Sequence, residues 1–141
     1  MDEQSKTTLS LYRLAHAKEC LDEAELMLAN KRYKGSVTRS YYAVFNAVRP
    51  LLALRGVDFK HYSGVISYFR REYIKTGLLD ISLSDILKTA YDRRTVSDYS
   101  DFVNFTEDDT VQLLASAKDF VCQIESYVHT YKLENELDKK E

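Results

Sequence analysis

Between Ser36 and Arg55 the chain is apolar almost all the way round a helical wheel: Tyr41, Tyr42, Ala43, Val44, Phe45, Ala47, Val48, Leu51 and Leu52 follow one another with few interruptions. A helix that is greasy on every side has to be covered on several sides, so this stretch belongs at the centre of a helical bundle. Gly56 supplies its C-terminal stop. Pro50 removes one backbone donor and crowds the carbonyl of Asn46, which predicts a kink there. Arg39, Asn46 and Arg49 are the polar groups on this helix. Arg39 and Asn46, seven apart, share a face and are candidate ligand-binding residues.

The rest of the chain supplies the cover. One proline and four glycines in 141 residues leave few breaks. From Leu9 to Asn30, Leu14, Ala17, Leu21, Ala24 and Leu28 recur three and four apart, the stripe of a bundle-facing helix. Lys18, Glu19, Asp22, Glu23 and Glu25 fall off that stripe and read as a solvated face. Asn30 to Gly35 is a short polar turn. A third helix is expected from His61 to Lys75, ending at Gly77, with Val65, Ile66, Phe69 and Tyr73 inward and Arg70, Arg71 and Lys75 outward. Ser82-Leu83-Ser84-Asp85 matches a capping box opening the fourth helix, and Thr106-Glu107-Asp108-Asp109 a second one opening the fifth. Leu114, Ala117, Val121, Ile124, Val128 and Tyr131 form the stripe of that last helix. The expected fold is all-α, an antiparallel bundle of about five helices. Residues 1–8 are expected to fray, 9–131 to form the single domain, and 132–141 to form a charged tail.

With 20 basic and 22 acidic residues the net charge is −2, so any contact with nucleic acid requires a local basic cluster. Cys20 and Cys122 are far apart and show no metal spacing, which fits a reducing, cytoplasmic setting. The polar start Met1–Lys6 does not resemble a leader, and no apolar run approaches the ~18 residues of a membrane span. No metal and no cofactor is expected.

Chemistry concentrates in Ala90-Tyr91-Asp92-Arg93-Arg94-Thr95-Val96-Ser97-Asp98-Tyr99. Leu83, Leu87 and Ala90 make one helical stripe, and Arg94 is its next member. A guanidinium there points where a core residue would point, and it needs a partner or a ligand. Asp98, four residues on, is in reach of it. Two readings stand side by side: a site for an anionic ligand or RNA phosphate, and a structural ion pair at a helix end.

The order Arg39-x-Tyr41-Tyr42-Ala43, His61-x-x-Gly64-Val65, Arg94-x-x-x-Asp98-Tyr99 and a long final helix resembles the HEPN domain family, in its small stand-alone prokaryotic members. The resemblance covers about Leu14 to Tyr131. It implies an antiparallel bundle that pairs as a homodimer, with an Arg-x4-6-His motif in the dimer cleft of ribonuclease members. Many members are paired with a minimal nucleotidyltransferase as toxin and antitoxin. Carried onto this chain, Arg94 takes the motif position, with Arg93 as the alternate, and Asp98 and Tyr99 follow. Tyr99 stands where the ribonucleases have histidine. A phenol ordinarily ionises near pH 10 and is a poor base at neutrality, though it can donate a hydrogen bond to phosphate.

Three functions follow from the resemblance. The first is a toxin-type HEPN protein that binds RNA or nucleotide phosphate in a dimer cleft through Arg94, Asp98 and Tyr99, with metal-independent endoribonuclease activity as its catalytic form. In a variant, Tyr99 receives a nucleotide from the partner transferase. The second is a non-catalytic nucleotide-binding module docked on a nucleotidyltransferase. The third is a plain helical scaffold. Arg55, five residues and His61 also fit the loose ribonuclease spacing, but they span a helix end. His61 is read as opening the third helix, with lining a ligand groove as its second role.

Overall fold

The structure, a computed structural model, describes residues 1–140 and leaves Glu141, the last residue of the expected charged tail, outside. Five α-helices make the fold: α1 (Glu3–Ala29), α2 (Tyr33–Leu54), α3 (Tyr62–Phe69), α4 (Ser82–Tyr99) and α5 (Glu107–Lys140), with α3 prolonged by a π-helical turn over Arg70–Ile74. Among the described residues there is no strand.

As its pattern requires, α2 is the central helix. Thirteen of its residues are buried, and it packs against α1, α3, α4 and α5. Pro50 sits inside α2, and the helix continues through it to Leu54. Its neighbourhood is pinned from α1: Ser10 donates to the Pro50 carbonyl at 2.9 Å and Arg13 to the Arg49 carbonyl at 3.3 Å. Ala17, Ala24, Ala43 and Ala47 are fully buried, and small side chains on facing helices let α1 and α2 approach closely. Lower down, Ser36 donates to the Ala24 carbonyl.

The stripes are buried where the periodicity placed them. Leu14, Ala17 and Ala24 of α1, Val65, Ile66 and Phe69 of α3, and Ala117, Val121, Ile124 and Val128 of α5 are core residues. The acidic side of α1 does more than face solvent. Glu25 pairs with Lys118, Lys18 with Glu125, and Glu23 with Arg39, which lace α1 to its neighbours.

Helix ends differ from expectation in instructive ways. Residues 3–8, expected to fray, are helical because the Asp2 carboxylate caps them, accepting from the Ser5 N–H at 2.7 Å. The charged segment from Lys132 stays helical to Lys140. Thr106 caps α5 as its box predicts, accepting from the Asp109 N–H. Ser82 does not cap α4; Asp80, two residues earlier, accepts from the Ser82 N–H at 3.1 Å. Gly56 and Gly77 both take positive φ, +66° and +78°, which makes them the stops the sequence suggested.

The third helix also departs from a uniform α-helix. In its π-turn the Lys75 N–H donates to the Arg70 carbonyl five residues back, at 2.8 Å. Phe69 and Tyr73 are both buried there, and the Tyr73 hydroxyl donates to the Leu51 carbonyl. No helix among the described residues is long and apolar enough to cross a membrane.

Candidate functional site

The C-terminal half of α4 lies over α2. Leu83, Leu87 and Ala90 are fully buried, and Arg94 continues their stripe, so its side chain is delivered against α2 by helix geometry alone. There it meets phenols 52 and 53 residues away in sequence. Arg94 Nη2 donates to the Tyr42 hydroxyl at 3.3 Å, and its guanidinium carbon lies 5.1 Å from the Tyr41 ring centroid and 5.4 Å from that of Tyr42. Both are cation–π distances.

Behind Tyr41 is a cluster of rings. Tyr41 lies 6.0 Å from Phe45 and 6.2 Å from Tyr91, and Tyr62 stacks on Tyr91 at 4.2 Å and on Phe45 at 5.6 Å. Helices α2, α3 and α4 thus each contribute phenols to one wall. Burial pushes the Tyr41 phenol up to about 12, with the Arg94 charge pulling the other way. Burial raises Tyr62 as well. Burial acts to lower Arg94, but the charges of Tyr42, Asp98 and Tyr41 outweigh it and leave the guanidinium above its ordinary pKa. Arg94 is therefore a fixed cation on an aromatic floor.

Asp98 completes the pair on the solvent side, with Oδ2 3.1 Å from Arg94 Nε. That contact is electrostatic only. The Nε–H is not directed at the carboxylate, and Nε is buried without a hydrogen bond. Among the described residues, three buried side-chain polar atoms lack a hydrogen bond: Arg94 Nε, Ser97 Oγ and Ser40 Oγ. Two are in the Arg94–Tyr99 segment, and the third is next to Tyr41. Native interiors satisfy nearly all such groups, so the Arg94 Nε is the donor in this helix end that calls for an acceptor.

The other candidates separate cleanly. Tyr99, the last residue of α4, is 85 % exposed and makes no ring contact, and Asp98 is exposed beside it. Arg93 is turned away, lining a groove between α4 and α5 with Asp85 and Asp109. Arg39 pairs with Glu23 of α1 at 3.1 Å, and Asn46 Nδ2 lies 4.0 Å from Cys20 Sγ of α1. Both therefore face α1 and not the Arg94 wall. His61 opens α3 through its backbone, its carbonyl accepting from the Gly64 N–H; the side chain is exposed and caps nothing. Arg55, its partner in the rival spacing, instead reaches Glu72 at 3.2 Å and lies over the Tyr73 ring at 4.6 Å.

The sequence reading missed the floor. Tyr41 and Tyr42 were visible as a motif and Tyr91 as part of the charged helix end, but nothing local says that they meet. One signal was available: Tyr91 and Arg94 are three apart and so share a face of α4. Among the described residues no group of three His, Cys, Asp or Glu side chains is gathered as a metal-binding set would be.

The family model of the HEPN domain matches residues 10–127, which run from the first third of α1 into α5. A UPF0332 protein of Thermotoga maritima is 36% identical over 121 residues, covering 86% of this chain and 92% of its own length. Two Methanocaldococcus jannaschii proteins named "putative toxin" are each 30% identical, covering 79% and 77% of this chain and 76% and 80% of their own lengths. A family match over most of the chain, with relatives at least 30% identical aligned over 76–92% of their own lengths, leaves one conclusion: the chain belongs to the HEPN domain family.

Proposed function

We propose that this protein is the toxin-type member of a nucleotidyltransferase–HEPN pair, and that it binds RNA or nucleotide phosphate at Arg94 in the cleft of a homodimer. One observation carries the reading: a half-buried guanidinium, held on Tyr41 and Tyr42, whose Nε makes no hydrogen bond. A phosphate oxygen is the acceptor best matched to such a donor, since guanidinium–phosphate bonds are charge-assisted and directional. Asp98 steadies Arg94 from the solvent side. Tyr99 stands free at the rim to donate a hydrogen bond to the same phosphate. The toxin names of the two M. jannaschii relatives support the role in a pair.

In the catalytic form of this reading the ribose 2′-hydroxyl attacks the neighbouring phosphorus. The bond to the 5′-oxygen breaks, leaving a 2′,3′-cyclic phosphate and a 5′-hydroxyl. Arg94 would stabilise the charge that builds on the pentacoordinate phosphate. Tyrosine in place of histidine leaves the motif without an imidazole to take up the 2′-hydroxyl proton, so the reading centres on phosphate binding.

The exposure of Tyr99 favours one variant, in which its phenol is the acceptor for the partner transferase. The phenolate oxygen would attack the α-phosphorus of a nucleoside triphosphate, pyrophosphate would leave, and the phenol proton would pass to solvent.

Incubation of purified protein with RNA, alongside Arg94→Ala and Tyr99→Phe, with mass determined by light scattering, tests the proposal. Binding or cleavage that disappears in Arg94→Ala while the dimer persists supports it. A dimer that falls apart in Arg94→Ala, with ligand behaviour unchanged, would assign the pair to a scaffold instead. Wild-type protein that binds nucleotide only beside a transferase would mark it as a non-catalytic docking module.

A further inference from the structure

A second cationic feature lies on the π-turn. The π-turn and the start of α4 border an open groove of about 680 Å³, lined by Arg70, Arg71, Ile74, Lys75 and Ile81, with Asp85 at its edge. Three cations fall within six residues of a chain whose net charge is −2. Their partners leave much of that charge uncompensated. Arg70 Nε donates to the Ser84 hydroxyl at 3.2 Å, a neutral partner that fixes the side chain and keeps its charge. Arg71 pairs with Glu72 at 3.1 Å, but Glu72 also serves Arg55. Lys75 has no ion pair among the described residues, and Asp85 is within 4 Å of none of these cations. Ile81, 69 % exposed, gives the groove an apolar side.

A chain of neighbouring rings leads from the edge of the groove to the Arg94 site. The Arg70 charge acts on the Tyr62 phenol, Tyr62 stacks on Tyr91, and Tyr91 neighbours Tyr41, over which Arg94 sits. The half-buried rings of Tyr62, Tyr91 and Tyr42 lie along this path over buried Tyr41, with a cation at each end; single-stranded nucleic acid uses such surfaces with its backbone on the charges and its bases against rings. An acidic peptide would use the cations and leave the aromatic row without a purpose.

We propose that the Arg70–Lys75 groove is a second phosphodiester-binding surface, which holds the flank of a single-stranded RNA whose nearer phosphate lies at Arg94. This rests on Arg94 being the RNA-binding residue, and it adds length: the site would read several nucleotides, not one phosphate.

The test uses full-length protein, a labelled uridine dinucleotide and a labelled oligouridylate of roughly twelve residues, within the usual range for single-strand sites. Arg70→Gln/Lys75→Gln should weaken the long RNA about tenfold and flatten its salt dependence by about one to two counterions. The same variant should bind the dinucleotide as the wild type does. Arg70→Lys/Lys75→Arg, which keeps the charge, should restore the long RNA and controls for misfolding.

Unchanged affinity and salt slope in the neutralised variant, with both RNAs lost in Arg94→Ala, would overturn the groove and leave the Arg94 reading standing. Retention of both RNAs in Arg94→Ala, or no RNA binding by the wild type, would overturn the Arg94 reading and the groove with it. Polyglutamate bound through Arg70 and Lys75, with no long-RNA effect, would assign the groove to an acidic protein segment and overturn its RNA role.

Discussion

Arg94 and Arg55 look alike by every simple measure. Their side chains are 32% and 31% exposed, each reaches a carboxylate at 3.1 and 3.2 Å, and each lies over a tyrosine ring, at 5.1 and 4.6 Å. The difference is in the donors. Each guanidinium makes one directed side-chain hydrogen bond, Arg55 Nη1 to Glu72 at 3.2 Å and Arg94 Nη2 to Tyr42 at 3.3 Å. Arg94 donates to Tyr42, but its Nε faces no acceptor in line, although Asp98 is near. Exposure and charge pairing therefore do not tell the two arginines apart. An account of which N–H groups are satisfied does.

The comparison breaks most directly at Arg94 itself. Arg94→Ala should cost about 1.5–3 kcal/mol of binding to RNA or nucleotide phosphate, the range for hydrogen bonds to charged groups, or roughly ten- to a hundredfold in Kd. Its melting temperature should fall less than that of Arg55→Ala, because removing Arg94 also removes a buried Nε with no acceptor. Arg55→Ala should do the reverse. Losing Glu72's partner and the cover over Tyr73 should remove about 1–2 kcal/mol of stability and lower Tm by about 3–6 °C, with ligand affinity unchanged. Titration followed by isothermal binding, with calorimetry on both variants, separates these outcomes; equal loss of binding in the two would end the distinction.

Alkaline pH sharpens it further. Tyr41, beneath Arg94, is raised by burial to about 12, so the folded state holds its proton more tightly than the unfolded chain, where a phenol ionises near 10. That contribution is complete below pH 10 and is lost as pH rises towards 12, an effect on the order of 1 kcal/mol. Urea melts across this window should show the decline and should show less of it in Tyr41→Phe. In Arg94→Ala the cation that counteracts burial is gone, so the tyrosinate absorbance of Tyr41 should appear at still higher pH. The smallest effect belongs to Tyr99→Phe. At 85 % exposure it should alter stability by less than about 0.5 kcal/mol, while removing any nucleotide-sized mass increase that a transferase adds to the wild type.

Much of the fold was legible because helix geometry is local. The three-and-four spacing of Leu14, Ala17, Leu21, Ala24 and Leu28 identifies a buried face without knowledge of what covers it. Gly56 and Gly77 mark helix stops because left-handed φ is costly for other residues. The errors were local as well. Asp2 and Asp80 cap helices whose starts were placed elsewhere, since several nearby carboxyls and hydroxyls compete for each set of free N–H groups. Arg94 was legible as a core-facing cation, and its pairing with Asp98 followed from the four-residue spacing. Arg39 and Asn46 share a face as expected, but the sequence could not say that this face belongs to α1.

The sequence by itself determined which residues of each helix turn inward, because a rotation of about 100° per residue depends on nothing beyond that helix. It made Arg94 the next member of the stripe of Leu83, Leu87 and Ala90 and left Arg93 as the alternate; the structure turns Arg94 onto Tyr41 and Tyr42 and Arg93 towards α5. Only the tertiary structure decided what Arg94 would meet. Tyr41, Tyr42, Tyr62 and Tyr91 converge from three helices, and whether an N–H finds an acceptor in line is a matter of tenths of an ångström between elements distant in the chain. Hydrogen bonding is directional and burial is not; pattern alone can therefore place an arginine at a helix contact and still leave open whether that contact satisfies it.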